Sequence, residues 1–103
     1  MLLKKNRANK KDLDKVFKKG FFLASTNLTF RYLKDKTTKI SFVTPKTVSK
    51  SAVKRNGLRR KGYALLKKHL ELLPSPITAA FVFKKSNTEN LENEIKNLLT
   101  KAN

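Results

Sequence analysis

A chain of 103 residues with 25 lysines and arginines against 7 acids, a net charge of +18, has room for one compact domain, and its self-repulsion disfavours that compact state unless a polyanion neutralises it. It has no cysteine, which excludes a disulfide scaffold or a thiolate metal site. No apolar run approaches the roughly 20 residues of a membrane span, and the start, Met1-Leu2-Leu3-Lys4-Lys5, turns basic at once, so a cytoplasmic protein without membrane contact is expected.

In chain order, Asn9 is placed to cap a short helix with Asp12 in its first turn. Leu13, Val16 and Phe17 share one face of it, and Gly20 stops it after Lys18-Lys19. Phe21–Ala24 reads as a short strand. From Leu28 to Tyr32 the pattern alternates, Leu28, Phe30 and Tyr32 on one side and Thr29 and Arg31 on the other. A turn over Asp35-Lys36-Thr37-Thr38 predicts Lys39–Thr44 as the returning strand, ended by Pro45, giving an antiparallel pair or trio with one buried and one polar face.

Ser51 then caps a long helix running to about Leu73, where Pro74 and Pro76 stop it. Its second half has a leucine stripe, Leu66, Leu70 and Leu73, with Tyr63 one turn earlier. Its first half is basic on several sides and must stand in solvent or against phosphate. Ile77–Phe83 (ITAAFVF) is apolar throughout, as a strand covered on both faces should be. Ser86-Asn87-Thr88-Glu89 matches a capping box ahead of a last helix whose core stripe is Leu91, Ile95, Leu98, Leu99 and Ala102. The order read from the residues is α, two or three strands, α, β, α, an α+β class with one sheet and helices packed on it, forming a single domain over residues 1–103.

The charge is concentrated. Between Asp35 and Glu71 there is no acid, while eleven lysines and arginines fall in that window, from Lys36 to Lys68. A solubilising surface interleaves acids with its bases; a segment with none calls for phosphates, which release counterions when neutralised.

Catalytic chemistry is sparse. His69, the one histidine, lies late in a helix among lysines, where a surface or helix-end role is the ordinary one. Asp12 and Asp14 point about 200° apart around a helix and do not converge on a metal. Glu89, Glu92 and Glu94 suit the dipole of the last helix. A phosphate-binding glycine loop, a serine elbow and a zinc spacing are all absent. Any reaction this protein serves has its active site elsewhere.

Residues 52 to 60 read Ala52-Val53-Lys54-Arg55-Asn56-Gly57-Leu58-Arg59-Arg60. This closely resembles the signature of the bacterial ribonuclease P protein family, A-V-x-R-N-x-x-[KR]-R near the start of a long helix. Asn6-Arg7 and the KKDLDKVFKKG segment to Gly20 resemble the family's first helix, and the strands, Thr44-Pro45-Lys46 and the final helix fall where that family places them. Gly57 stands where the family usually has another arginine, Tyr63 where one often follows, and Leu13 replaces the first aromatic of the N-terminal helix.

The resemblance implies a small two-layer α/β sandwich in the order α-β-β-β-α-β-α, with a left-handed βαβ crossover through the basic helix. It also implies an accessory protein subunit of an endoribonuclease, whose catalytic RNA removes the 5′ leader from precursor tRNA. The chain itself would bind no cofactor; Mg2+ would belong to the RNA-containing holoenzyme. On this reading Arg55, Asn56, Arg59 and Arg60, with Lys54, Lys61 and Lys46, dock on the catalytic RNA, and the protein is monomeric in the complex. Phe17, Thr29 and Arg31 would contact the single-stranded leader in a central cleft, Phe17 by stacking on a base, although an aromatic at helical spacing equally suits a core position. Two other classes share some of these features. A structural RNA-binding protein of ribosomal type would carry the same charge without promoting cleavage. A DNA-binding regulator would need its basic helix presented from a helical unit, whereas this one is flanked by strands.

Overall fold

The computed structural model describes residues 7–86 and 88–102. The elements are α1 (Lys10–Lys19), β1 (Phe21–Ala24), β2 (Leu28–Lys34), β3 (Lys39–Val43), α2 (Ala52–His69), β4 (Ile77–Phe83) and α3 (Leu91–Lys101), in the expected order. The Asn9 side chain accepts from the Asp12 N–H at 2.9 Å and the Asp12 carboxylate accepts from the Asn9 N–H at 3.0 Å, a reciprocal box on α1. Gly20 ends α1 in ordinary extended backbone; a glycine sits there because a Cβ would run into the Val16 carbonyl. Ser51 caps α2 by accepting from the Lys54 N–H at 3.3 Å. The helix gives way at His69 to a 3-10 turn, Leu70–Leu72, so the stretch read as helix to Leu73 is slightly shorter.

The sheet order is β1-β2-β4-β3. β1 and β2 form an antiparallel pair, but β3 is not the return strand of a hairpin with β2. β4 enters between them, antiparallel to β2 and parallel to β3. A central strand has neighbours on both edges and layers on both faces, and of the four only β4 is apolar enough for that place; β3, with Lys39 and Ser41, takes the edge. Asp35, read as part of a tight turn, instead accepts from the Thr78 hydroxyl at 2.6 Å at the entry to β4. That hydrogen bond, followed by one from the Lys36 N–H, holds the Asp35 carboxyl below the usual carboxylate range.

One sheet face carries the core. Phe30, Phe81 and Phe42 lie side by side across β2, β4 and β3, with ring centroids 4.4 and 4.8 Å apart, and α2 and α3 cover them with Tyr63, Leu66, Leu91, Ile95, Leu98 and Leu99. α2 comes so close that an added Cβ on Gly62 would lie 2.7 Å from two carbons of the Phe42 ring. α1 packs on the other face through Val16, which is fully buried, and its lead-in is tied to β3 where the Ser41 hydroxyl donates to the Ala8 carbonyl at 2.8 Å.

The capping box expected at Ser86–Glu89 does not start α3. The helix begins at Leu91, the Asn90 side chain at its N-cap makes no capping bond, and Asn87 lies outside the described residues. The Thr88 hydroxyl instead accepts from Lys61 Nζ at 3.1 Å, tying this loop to α2. Glu94 does more than complement a helix dipole. Its buried carboxylate takes hydrogen bonds from the Ser25 hydroxyl at 2.5 Å, the Asn27 N–H at 2.7 Å and the Asn27 amide at 2.9 Å, locking α3 to the β1–β2 turn. Burial works to raise its pKa, but the three donors outweigh it and the carboxyl is held below its ordinary value.

Candidate nucleic-acid interface

The first half of α2 projects its basic side chains in more than one direction, because residues three, four and seven apart share a helix face while residues two apart lie on nearly opposite ones. Asn56, Arg59, Arg60 and Tyr63 line a groove of about 510 Å³ whose other walls are Arg7 ahead of α1, Leu13 on α1, and Ser41, Phe42 and Val43 of β3. Arg59 donates to the Asn56 side-chain oxygen, which aligns these two members of the motif. Arg7 was not singled out as a site residue, yet its guanidinium lies 4.7 Å above the Tyr63 ring, and its Nε is buried without a hydrogen-bond partner. No local pattern marks Arg7; it reaches the groove only through the tertiary placement of α1.

Arg55 points elsewhere. Its Nη1 donates to the Ser49 and Lys50 carbonyls, both at 3.0 Å, so this arginine braces the turn leading into α2. Lys54 and Lys61 face a second groove, of about 410 Å³, with Gly57, Leu58, Ser86 and Thr88. Lys46 is exposed in the turn after β3 and lines neither groove. The seven residues grouped on the helix and its approach thus separate into a front groove, a rear groove, a bracing arginine and an outlying lysine.

The leader-cleft candidates are brought together on the α1 side of the sheet. Arg31 is the cross-strand partner of Phe22, and its guanidinium lies 5.2 Å from the Phe22 ring and 5.9 Å from the Phe17 ring while donating to the Phe17 carbonyl at 3.3 Å. Phe17 is 38% exposed beside a fully buried Val16, so it is a surface aromatic and not a core one. Phe22, 55% exposed, joins it; its parity with Arg31 across two adjacent strands was the signal that could have found it. Thr29 lies one row along, level with Val82 of β4 and, through it, Val43 of β3. These three are only partly covered. Val43 belongs also to the front groove, so the exposed row and the basic groove share a wall.

Four of the seven acids are spent on structure. Asp12 closes the α1 box, Asp35 holds Thr78, and Glu94 holds the β1–β2 turn. Glu92 lies 2.7 Å from His69 Nε2, and that hydrogen bond pulls its pKa down. Among the described residues no three His, Asp or Glu side chains come together as a metal site, and no helix is long and apolar enough to cross a membrane.

Comparison with known proteins places this architecture. The ribonuclease P family pattern matches residues 3–103. A ribonuclease P protein component from Pseudanabaena sp. (strain PCC 6903) is 34% identical over 110 residues, covering 99% of this chain and 95% of the relative. Among solved structures, the RNase P protein from Thermotoga maritima superposes with a TM-score of 0.82 at 18% identity, over 94% of this chain and 97% of its own. The RNase P protein from Staphylococcus aureus gives 0.69 at 21% identity, over 98% and 89%. The signature on α2, the match over nearly the whole length and the shared fold agree: this chain belongs to the ribonuclease P protein family.

Proposed function

We propose that the chain is the protein subunit of ribonuclease P, binding the catalytic RNA and the 5′ leader of precursor tRNA while the RNA, with its Mg2+, performs the hydrolysis. The observation that carries this is the front groove: Arg7, Asn56, Arg59 and Arg60 converge there with no acid among the lining residues. Guanidinium groups suit bidentate phosphate contacts, and Asn56 offers a donor and an acceptor to ribose or backbone. The adjoining row of Thr29, Arg31, Phe17 and Phe22 supplies what a single strand needs, a cation for phosphate between aromatic faces for bases. With Asp12, Asp35, Glu92 and Glu94 engaged in structural bonds, the chain's part on this reading is to hold RNA in position.

The test is cleavage of a precursor tRNA by a bacterial ribonuclease P RNA at low Mg2+, with and without the protein, beside an Arg59→Ala/Arg60→Ala variant. The expected result is that wild type restores 5′-leader removal and the variant does not. If wild type binds the RNA tightly but never raises cleavage, the chain is a structural RNA-binding protein. A second comparison, wild type against Arg31→Ala on precursors with and without a leader, checks the cleft: the variant should lose affinity only for the leader-bearing RNA.

A further inference from the structure

Asn56 is the one asparagine of the chain that is followed by glycine. In that pair no side chain hinders the glycine nitrogen as it approaches the asparagine Cγ, so the two can close a five-membered imide. A regular helix prevents the closure, because it holds the Gly57 N–H along its axis toward the preceding turn. How firmly the first turns of α2 are held therefore decides whether the ring forms.

They are held loosely. The buried residues of α2 are Gly62, Tyr63 and Leu66, and from Ala52 to Lys61 none is buried. Val53 is 81% exposed, so its side chain adds little packing. The first turn carries no acid, and Lys54 and Arg55 stand at the positive end of the helix dipole. Gly57 weakens the helix by about 1 kcal/mol relative to alanine. Against this stand the Ser51 cap and the Arg55 bonds to two loop carbonyls. A helix end with so little burial opens at a small fraction of the cost of global unfolding. The Arg59 guanidinium, which donates to the Asn56 side-chain oxygen, draws electron density from Cγ and favours the charge that develops on that oxygen.

We infer that Asn56 and Gly57 form a self-modifying site, which deamidates while the chain is free of RNA and so retires it from RNA binding. The Gly57 nitrogen gives up its proton and bonds to Asn56 Cγ. The Cγ–Nδ2 bond breaks, and Nδ2 leaves with that proton as ammonia. Water then opens the succinimide at either carbonyl, leaving aspartate or, with the chain rerouted through Cγ, isoaspartate; nothing is oxidised or reduced. Either product sets a carboxylate in a groove whose lining residues include no acid, where it claims the Arg59 guanidinium that a phosphate would use. The loss of binding rests on the ribonuclease P subunit reading; the chemistry does not.

The intact chain is incubated at neutral pH, alone and with a saturating bacterial ribonuclease P RNA, and position 56 is read by mass spectrometry of acid-digested peptides. The expected result is a steady gain of acid at 56 in the free chain and none in Gly57→Ala. RNA at about 100 times its Kd should slow the conversion roughly a hundredfold, by holding the helix closed. An Asn56→Asp variant should bind that RNA about tenfold more weakly than wild type. If position 56 of the free folded chain stays amide while the chain in denaturant converts, the site is overturned and the subunit reading is untouched. Equal conversion with RNA bound overturns the dependence on the free state, and wild-type affinity in Asn56→Asp overturns the retirement from binding. If the RNA does not bind wild type at all, the subunit reading falls and conversion of the free chain still supports the chemistry.

Discussion

The Tyr63 hydroxyl accepts a hydrogen bond at 3.1 Å from the main-chain N–H of Phe42, a donor on the outer edge of β3 where no further strand is available. The same tyrosine meets the Phe42 ring edge-on at 5.1 Å and carries Arg7 on its outer surface. One side chain therefore closes the sheet edge, fixes the height of α2 above the core and supports a wall of the front groove. Tyr63→Phe keeps both ring contacts and strands the buried N–H, so it should cost about 1–3 kcal/mol. Denaturant unfolding should show a lower midpoint with an unchanged slope.

The two glycines of α2 should respond to alanine with opposite signs. Gly57 faces open space, and Gly57→Ala should raise stability by about 1 kcal/mol through helix propensity alone. At Gly62 the new methyl meets a Phe42 ring that is wedged among Tyr63, Phe81 and Phe83 and has nowhere to move. Overpacking there costs about 1–3 kcal/mol, so Gly62→Ala should lower the midpoint despite its better propensity. Thermal unfolding of the pair decides the matter; equal shifts would contradict the close approach of α2 to Phe42.

Arg55 and Arg60 stand five residues apart in one motif and should fail differently. Arg60→Ala should weaken RNA binding roughly tenfold, equivalent to about 1.4 kcal/mol, with the melting curve unchanged. Arg55→Ala removes the donor from two loop carbonyls and should cost on the order of 1 kcal/mol of folding stability as well as RNA affinity. Paired binding and unfolding measurements separate the two roles.

Glu94 sets an acid limit. Its folded pKa lies below its ordinary 4.5, so its contribution to stability is complete above that value and is lost as pH falls through the lower, folded one. Glu94→Gln should cost on the order of 2 kcal/mol near neutral pH, because a charged acceptor of three hydrogen bonds is replaced. The difference between wild type and variant should then shrink steadily below pH 4.5. A difference independent of pH would show that the carboxylate charge does no work there.

Local structure was largely legible in the sequence. The Asn9 and Ser51 caps, the alternation in β2, the apolar run of β4 and the stripe of α3 are each written in residues close enough to contact one another. What was not legible depends on contacts between distant residues. The insertion of β4 beside β2 pairs Lys34 with Ile77, and the Glu94 lock spans 67 residues to Asn27. The capping box at Ser86 was a sound local pattern that tertiary demand overrode, because Lys61 claims Thr88 and the helix starts later. At the site, the signature lies on α2, but helical geometry spreads its cations over two grooves and a brace. Arg7 joined from a segment that the resemblance matched to the family without giving this arginine a site role.

The late position of β4 in the chain also sets the order in which the sheet is completed. Until residues 77 to 83 are available, β2 has a partner only in β1, and β3 has none. The chain must then thread its central strand between two elements already made, closing the long loop that contains α2 before the phenylalanine row forms. Folding should therefore be slower than the helical content suggests, dominated by that single long-range event. A ribosome-bound chain ending before Ile77 would hold the whole RNA-binding signature without the core that positions it.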